Sequence, residues 1–262
     1  MSTVAMTIIT CASVIAPSVK AESPVPTAAT YDRILLPIAT GQIAGAFGSL
    51  WMADIVVHNG DAATRDLDAD EYCVSECASR VLQPRETRHI LFRGEPAGNP
   101  GQIIFVENPD ERVAFESRIQ DISRQAQTWG TEIPVVRESS FLSRPIDLLN
   151  VPVDRRFRLM VRIYDIDGRS DASVRVSAYS FPARGDALGE IDLPLTPPIG
   201  THPRYKPSYV QFSDVLQLVP PGVNPGSVLV LRITPITPSL RIWAFVSVTN
   251  NETQHVTTIT PQ

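Results

Sequence analysis

Apolar and polar residues alternate with period two in short runs, each ended by a proline or an Asp/Gly turn, and this pattern most limits how the chain can fold. In Phe157-Arg-Leu-Met-Val-Arg-Ile-Tyr164, the positions Phe157, Leu159, Val161 and Ile163 share one face and Arg158 and Arg162 the other. A helix would scatter these side chains around its circumference, whereas a strand aligns them. Asp167-Gly168 follows, a dipeptide suited to the positive-φ positions of a tight turn. Val174, Val176 and Ala178 then resume the alternation, so the pattern predicts a hairpin. Trp51 to Val57, Ile90 to Arg93, Ile103 to Glu107, Val113 to Ile119, Ser227 to Ile233 and Arg241 to Val248 read as further strands. Helical signal is confined to Ser117 to Gln127, which is polar and has few apolar positions. The expected fold class is all-β, a sandwich of many short strands separated by turns.

Two halves of the chain look alike. Trp51-Met-Ala-Asp-Ile-Val-Val57 and Phe157-Arg-Leu-Met-Val-Arg-Ile163 each open with a long strand followed by an Asp/Gly turn. Glu116 to Pro134 and Ala244 to Pro261 both run strand, polar loop, strand, proline, and Leu36-Pro37 marks a similar strand end. The simplest organisation is two tandem β-sandwich modules, 31–133 and 134–262, the second enlarged by a Pro-rich excursion over 182–225. The chain holds 23 Pro in 262 residues, and strand termination gives them an architectural use.

Met1 to Ala16 is uncharged and mostly apolar, and Val19-Lys20-Ala21 closes it with a small-residue cleavage pattern. Residues 1–21 therefore read as a secretory signal peptide and 22–30, rich in Pro and Ala, as a linker. The apolar run is too short for a membrane span, and no span is expected in the mature chain. Cleavage would remove Cys11 and leave Cys73 and Cys77. In an oxidising compartment such a pair most simply forms a disulfide, while for zinc it would be half a site. Charge points away from nucleic acid: the net value is −5, and lysine occurs only at Lys20 and Lys206.

Several stretches resemble a group of secreted bacterial proteins, common in soil bacteria, built from tandem immunoglobulin-like sandwich modules. They are Gly45-Ala-Phe-Gly-Ser-Leu-Trp51, the strand end His58-Asn59, Thr128-Trp-Gly-Thr-Glu-Ile-Pro134 and Trp243-Ala-Phe-Val-Ser-Val-Thr-Asn-Asn251. The resemblance implies secretion and an immunoglobulin-like fold, and it carries over no catalytic residues.

Chemistry-bearing motifs are sparse. His58, His89, His202 and His255 are scattered, without metal-ligand spacing or a neighbouring nucleophile motif. No Gly-x-Ser-x-Gly elbow, phosphate-binding loop or dinucleotide fingerprint occurs. Two acidic strings could offer oxygens to calcium: Asp66, Asp68 and Asp70 in one, Asp165, Asp167 and Asp171 in the other. The first also reads as a solvated loop, and the second as a turn whose aspartates bond nearby backbone. Trp129, Tyr205 and Tyr209 are candidates for stacking on a sugar, although packing under its own loop is the simpler reading for Trp129. No cofactor is expected. The function class that fits is a non-catalytic structural or adhesive protein of the cell surface or extracellular space, binding a protein or glycan by loops or strand edges. A carbohydrate-binding module, and a hydrolase whose residues converge only in three dimensions, are the alternatives.

Overall fold

The computed structural model describes residues 31–45, 48–69, 80–90, 101–107, 112–124, 129–181, 185–198, 203–222 and 228–262. The expected signal peptide and linker, the Cys73/Cys77 pair, Asp70 and His202 lie outside the described residues.

The chain is all-β, its strands joined by turns and short 3-10 segments. The strands are β1 (Tyr31–Leu36), β2 (Ile43–Ala44), β3 (Leu50–Asn59), β4 (Arg65–Asp68), β5 (Val81–Leu82), β6 (Thr87–Ile90), β7 (Gln102–Glu107), β8 (Val113–Asp121) and β9 (Thr131–Glu132). After β10 (Val136–Arg137) come β11 (Ile146–Pro152), β12 (Phe157–Asp165), β13 (Ser173–Ser180), β14 (Gly189–Pro194), β15 (Ser208–Phe212), β16 (Val228–Pro235), β17 (Ile242–Asn250) and β18 (Val256–Ile259).

Four antiparallel sheets result. One runs β10-β1-β7-β4-β5; its companion runs β2-β3-β8-β9, with β6 also on β3. The other two run β11-β16-β13-β14 and β15-β12-β17-β18. Strand for strand, β1-β7-β4-β5 has the order of β11-β16-β13-β14, and β6-β3-β8-β9 that of β15-β12-β17-β18. Even the register agrees. β3 and β8 pair from Trp51 opposite Asp121 to Asn59 opposite Val113, and β12 and β17 from Phe157 opposite Asn250 to Asp165 opposite Ile242. In the constant-type immunoglobulin sandwich the first strand lies beside the second. Here β1 lies beside β7 and β11 beside β16. By pairing with β1, Val136 and Arg137 join the first group of strands, past the expected join at 133/134.

Period-two alternation puts a different layer of side chains on each sheet face. Ile34, Ile104, Ile55 and Val57 meet between the first two sheets. Val161, Ile163, Ile242, Ala244, Val174 and Ile233 meet between the last two. The opposite faces also meet: Leu35 of β1 and Ile103 of β7 pack against Tyr164, Trp243 and Phe245 of β12 and β17. The sheets therefore stack with three apolar layers, the middle one aromatic. Phe245 lies parallel to Tyr164 at 6.4 Å and beside Trp243 at 5.6 Å. Each such ring removed from water contributes about 1.5–3 kcal/mol. The Pro37 carbonyl accepts from the Tyr164 hydroxyl at 3.0 Å and from Arg162 at 3.1 Å, tying β1 to β12.

One sequence expectation is corrected. β12 and β13 do not form a hairpin, because they belong to different sheets and face each other across a core. Gly168 has the expected positive φ of 66°, but the turn arches between sheets. The Pro-rich excursion over 182–225 contains two strands, β14 and β15. Prolines flank these short edge segments rather than preclude them.

Candidate functional site

The Asp/Gly turn after β12 is organised by Asp165. This fully buried carboxylate accepts the N–H of Asp167 at 3.0 Å and of Arg169 at 2.8 Å. Burial pushes its pKa up, opposed by these two backbone bonds. Asp167 instead faces the first group of sheets and accepts from Arg33 at 2.7 Å and from Arg241 at 3.0 Å. Burial raises its pKa, but the two arginines outweigh that and hold it low. Glu138 completes this network: Arg33 donates to it at 2.7 Å and Arg241 at 2.9 Å. The Arg33 bond, opposed by burial and aided by Arg241, brings Glu138 down to about 2. Asp171 accepts from Arg169, which lowers its pKa. Asp165, Asp167 and Asp171 thus address different donors and do not converge as calcium ligands.

The first acidic string is similarly spent. Asp66 accepts the Tyr31 hydroxyl, and Asp68 accepts the Tyr205 hydroxyl at 2.9 Å and also binds Arg204. Among the described residues, no three His, Cys, Asp or Glu side chains are grouped so as to hold a metal ion. Tyr205 is buried, its ring edge-on to Phe105 at 5.8 Å and covered by the Arg204 guanidinium at 4.5 Å. Tyr209 stacks on Tyr164 in the aromatic layer. Tyr205 offers no open face to a sugar, whereas Tyr209 is half-buried with one face towards Tyr164. Trp129 goes the other way: it is 76% exposed rather than packed under its loop. His58 and His89 lie on one face of the paired strands β3 and β6, each engaged by its own partner. His58 bonds Thr87 and His89 bonds Asp54, each at about 3 Å, and the two pairs share no residue.

An open cleft was not foreseen from the sequence. It has a volume of about 630 Å³ and lies where β12 loses its neighbour. β15 pairs with β12 only from Asp165 to Val161. Past Phe212 the chain turns into a 3-10 segment, Val215–Leu218, instead of continuing alongside. Phe157, Leu159 and Met160 of β12, Ser247 and Thr249 of β17, and Leu216 are among the residues that line the space. Phe157 and Leu159 face it from the core side, and Met160, Ser247 and Thr249 lie on the opposite face of the sheet. Arg155 and Asp214, both exposed, stand at its margin, while Asp154 is occupied by Arg156, whose hydrogen bond lowers its pKa. Trp129 is two residues from Thr131, whose hydroxyl donates to the carbonyl of Val256, the register partner of Thr249. A sequence signal for the cleft does exist, in the proximity of Ser213-Asp214 to a strand and the short connection Val153–Arg156, but neither is conspicuous.

Compared with protein-family models, curated proteins and solved structures, the chain matches none. Among the described residues, no helix is long and apolar enough to cross a membrane.

Proposed function

We propose that this is an exported, non-catalytic interaction protein of the cell surface or extracellular medium, built from two tandem immunoglobulin-like modules, which engages a protein partner at the cleft beside β12. The observation that carries the reading is that cleft: an interrupted sheet edge with mixed apolar and hydroxyl lining, as used for protein recognition. The common strand order and register of the two groups of sheets support the tandem reading. Immunoglobulin-like is meant architecturally, since sandwiches share that architecture without always sharing topology. The apolar run Met1 to Ala16, with its small-residue end at Ala21, supports export.

A second reading, carbohydrate binding, is favoured by Trp129, whose exposed ring could stack on a sugar face. One experiment separates the two. The tagged full chain is expressed and fractionated, and the purified protein is applied to arrays of extended peptides and of glycans. The expected results are a product outside the cytoplasm that begins at Glu22, and peptide binding lost on Ser247→Trp, which fills the cleft. Binding to glycans alone, lost on Trp129→Ala, would replace the protein-partner reading with the carbohydrate one.

A further inference from the structure

We infer that the cleft takes a guest strand: an extended peptide segment that pairs antiparallel with β12 at Leu159, with an acidic residue on its C-terminal side. The inference rests on the interaction reading above and specifies its ligand.

The hydrogen-bond phase of β12 follows from one contact. Asn251 donates its N–H to the carbonyl of Arg156 at 2.8 Å, which makes Phe157 and Asn250 a non-hydrogen-bonded pair. Alternation along an antiparallel ladder then directs the backbone groups of Arg158, Met160, Arg162 and Tyr164 towards β17. Those of Leu159, Val161, Ile163 and Asp165 point to the other edge. There β15 meets Val161, Ile163 and Asp165 with Phe212, Val210 and Ser208. Tyr209, exchanging both its backbone bonds with Thr196 on the far side, confirms the phase of β15. Leu159 is the next position in the series. Its N–H and C=O project into the cleft and meet no partner among the described residues.

The first group of sheets supplies the occupant by analogy within the same molecule. In the shared register, Ala53 of β3 corresponds to Leu159 of β12. Ala53 donates its N–H to the carbonyl of Thr40 at 3.0 Å, and β2 pairs antiparallel with Leu50 and Trp51 just beyond. Residues 40–44 thus cover β3 where β12 lies open. The corresponding connection, residues 153–156, is too short to do so and turns at once, with Phe157 donating to Asp154. A guest would restore on β12 what β2 and Thr40 provide on β3, continuing the line of β15.

Side chains define the guest's chemistry. The residue opposite Leu159 points to the core side, among Phe157, Val153 and Val215, and is apolar. Its two neighbours point to the opposite face, beside Met160 and Arg158 with Ser247 and Thr249 beyond them, where threonine, with one methyl and one hydroxyl, is suited. An antiparallel guest ends its C-terminal half near Arg155, whose guanidinium is exposed and has no carboxylate partner among the described residues. An acidic residue there is complementary in charge.

The test uses the full-length protein and the synthetic peptide Ac-Ser-Thr-Val-Thr-Ser-Asp-amide. At saturating peptide, amide exchange at Leu159 should slow at least about tenfold, because a backbone bond now protects it. N-methylation of the peptide valine, which removes the N–H facing Leu159, should weaken binding at least about tenfold. N-methylation of the following threonine, whose N–H faces away, should change it less than about threefold. Arg155→Glu should weaken binding, and replacing the peptide's Asp by Lys should restore it. If the peptide binds and Ser247→Trp blocks it, yet both methylated peptides bind alike and Leu159 stays unprotected, the guest strand is overturned and the interaction reading stands. If neither this peptide at millimolar concentration nor any peptide on the array binds, both are overturned.

Discussion

The two groups of sheets share a strand order and a register, yet they finish the same ladder with opposite chemistry. Strand β3 ends on Asn59, whose amide donates to the carbonyls of Ala63, Leu82 and Gln83 and whose oxygen accepts the N–H of Asp61. Strand β12 ends on Asp165, which only accepts, from Asp167 and Arg169. At the other end the identities reverse. Asp121 caps β8 by accepting from Ser123, and Asn250 caps β17 by accepting from Glu252. A side-chain oxygen bonding the backbone two residues on is the common requirement, and either Asn or Asp meets it. What surrounds the remaining atom decides between them. Beside Asn59 lie carbonyls, which need a donor; beside Asp165 lies a second N–H, which needs an acceptor.

That difference can be broken by exchanging the residues. Asn59→Asp sets a buried carboxylate against three carbonyls and should cost about 3–5 kcal/mol, read from urea denaturation. A loss below about 1 kcal/mol would mean that the three amide bonds contribute little. Asp165→Asn turns one acceptor into a donor facing the Arg169 N–H, and should cost a smaller amount, about 1–3 kcal/mol. It should also alter the pH dependence. Burial raises the folded pKa of Asp165, so the native state binds more protons and stability declines as pH rises from the ordinary aspartate range, near 3.9, to the folded value, and is level above it. In Asp165→Asn that decline should be absent.

Glu138 works with the opposite sign, at the junction of the two groups. Its folded value of about 2 lies below its ordinary value of 4.5, so its stabilisation is present above pH 4.5 and lost as the pH falls towards 2. Glu138→Gln should remove this acid-side loss and cost on the order of 1 kcal/mol at neutral pH, allowing for its partial exposure. Acid titration followed by circular dichroism would measure both slopes.

Much of the fold was legible because exposed-edge alternation is a local signal. Phe157 to Ile163 and Trp51 to Val57 gave β12 and β3, and the comparison of those two stretches matched strands that occupy equivalent places. The aromatic layer was less legible. Sheets buried on both faces read as unbroken apolar runs, such as Ile242 to Val246 and Ile103 to Val106, and alternation no longer says which face meets what. The hairpin expected at Asp167-Gly168 failed because the same turn residues serve a hairpin and an arch; only long-range pairing distinguishes them. The burial of Tyr205 was not legible because the residues that cover it, Arg204 apart, are distant in sequence. The cleft was hard to see for a similar reason: it is a missing neighbour, and its only sequence marks, Ser213-Asp214 beside a strand and the short connection Val153–Arg156, are inconspicuous.

One contrast is central: Ala53 is covered on β3, while its counterpart Leu159 is open on β12. Residue-resolved amide hydrogen exchange of the unliganded protein measures it directly. Leu159 should exchange about a hundredfold or more faster than Ala53, and faster than Val161 and Ile163 on the same edge. Equal protection of Leu159 and Ala53 would contradict the open edge, and with it the cleft as a place for a partner strand.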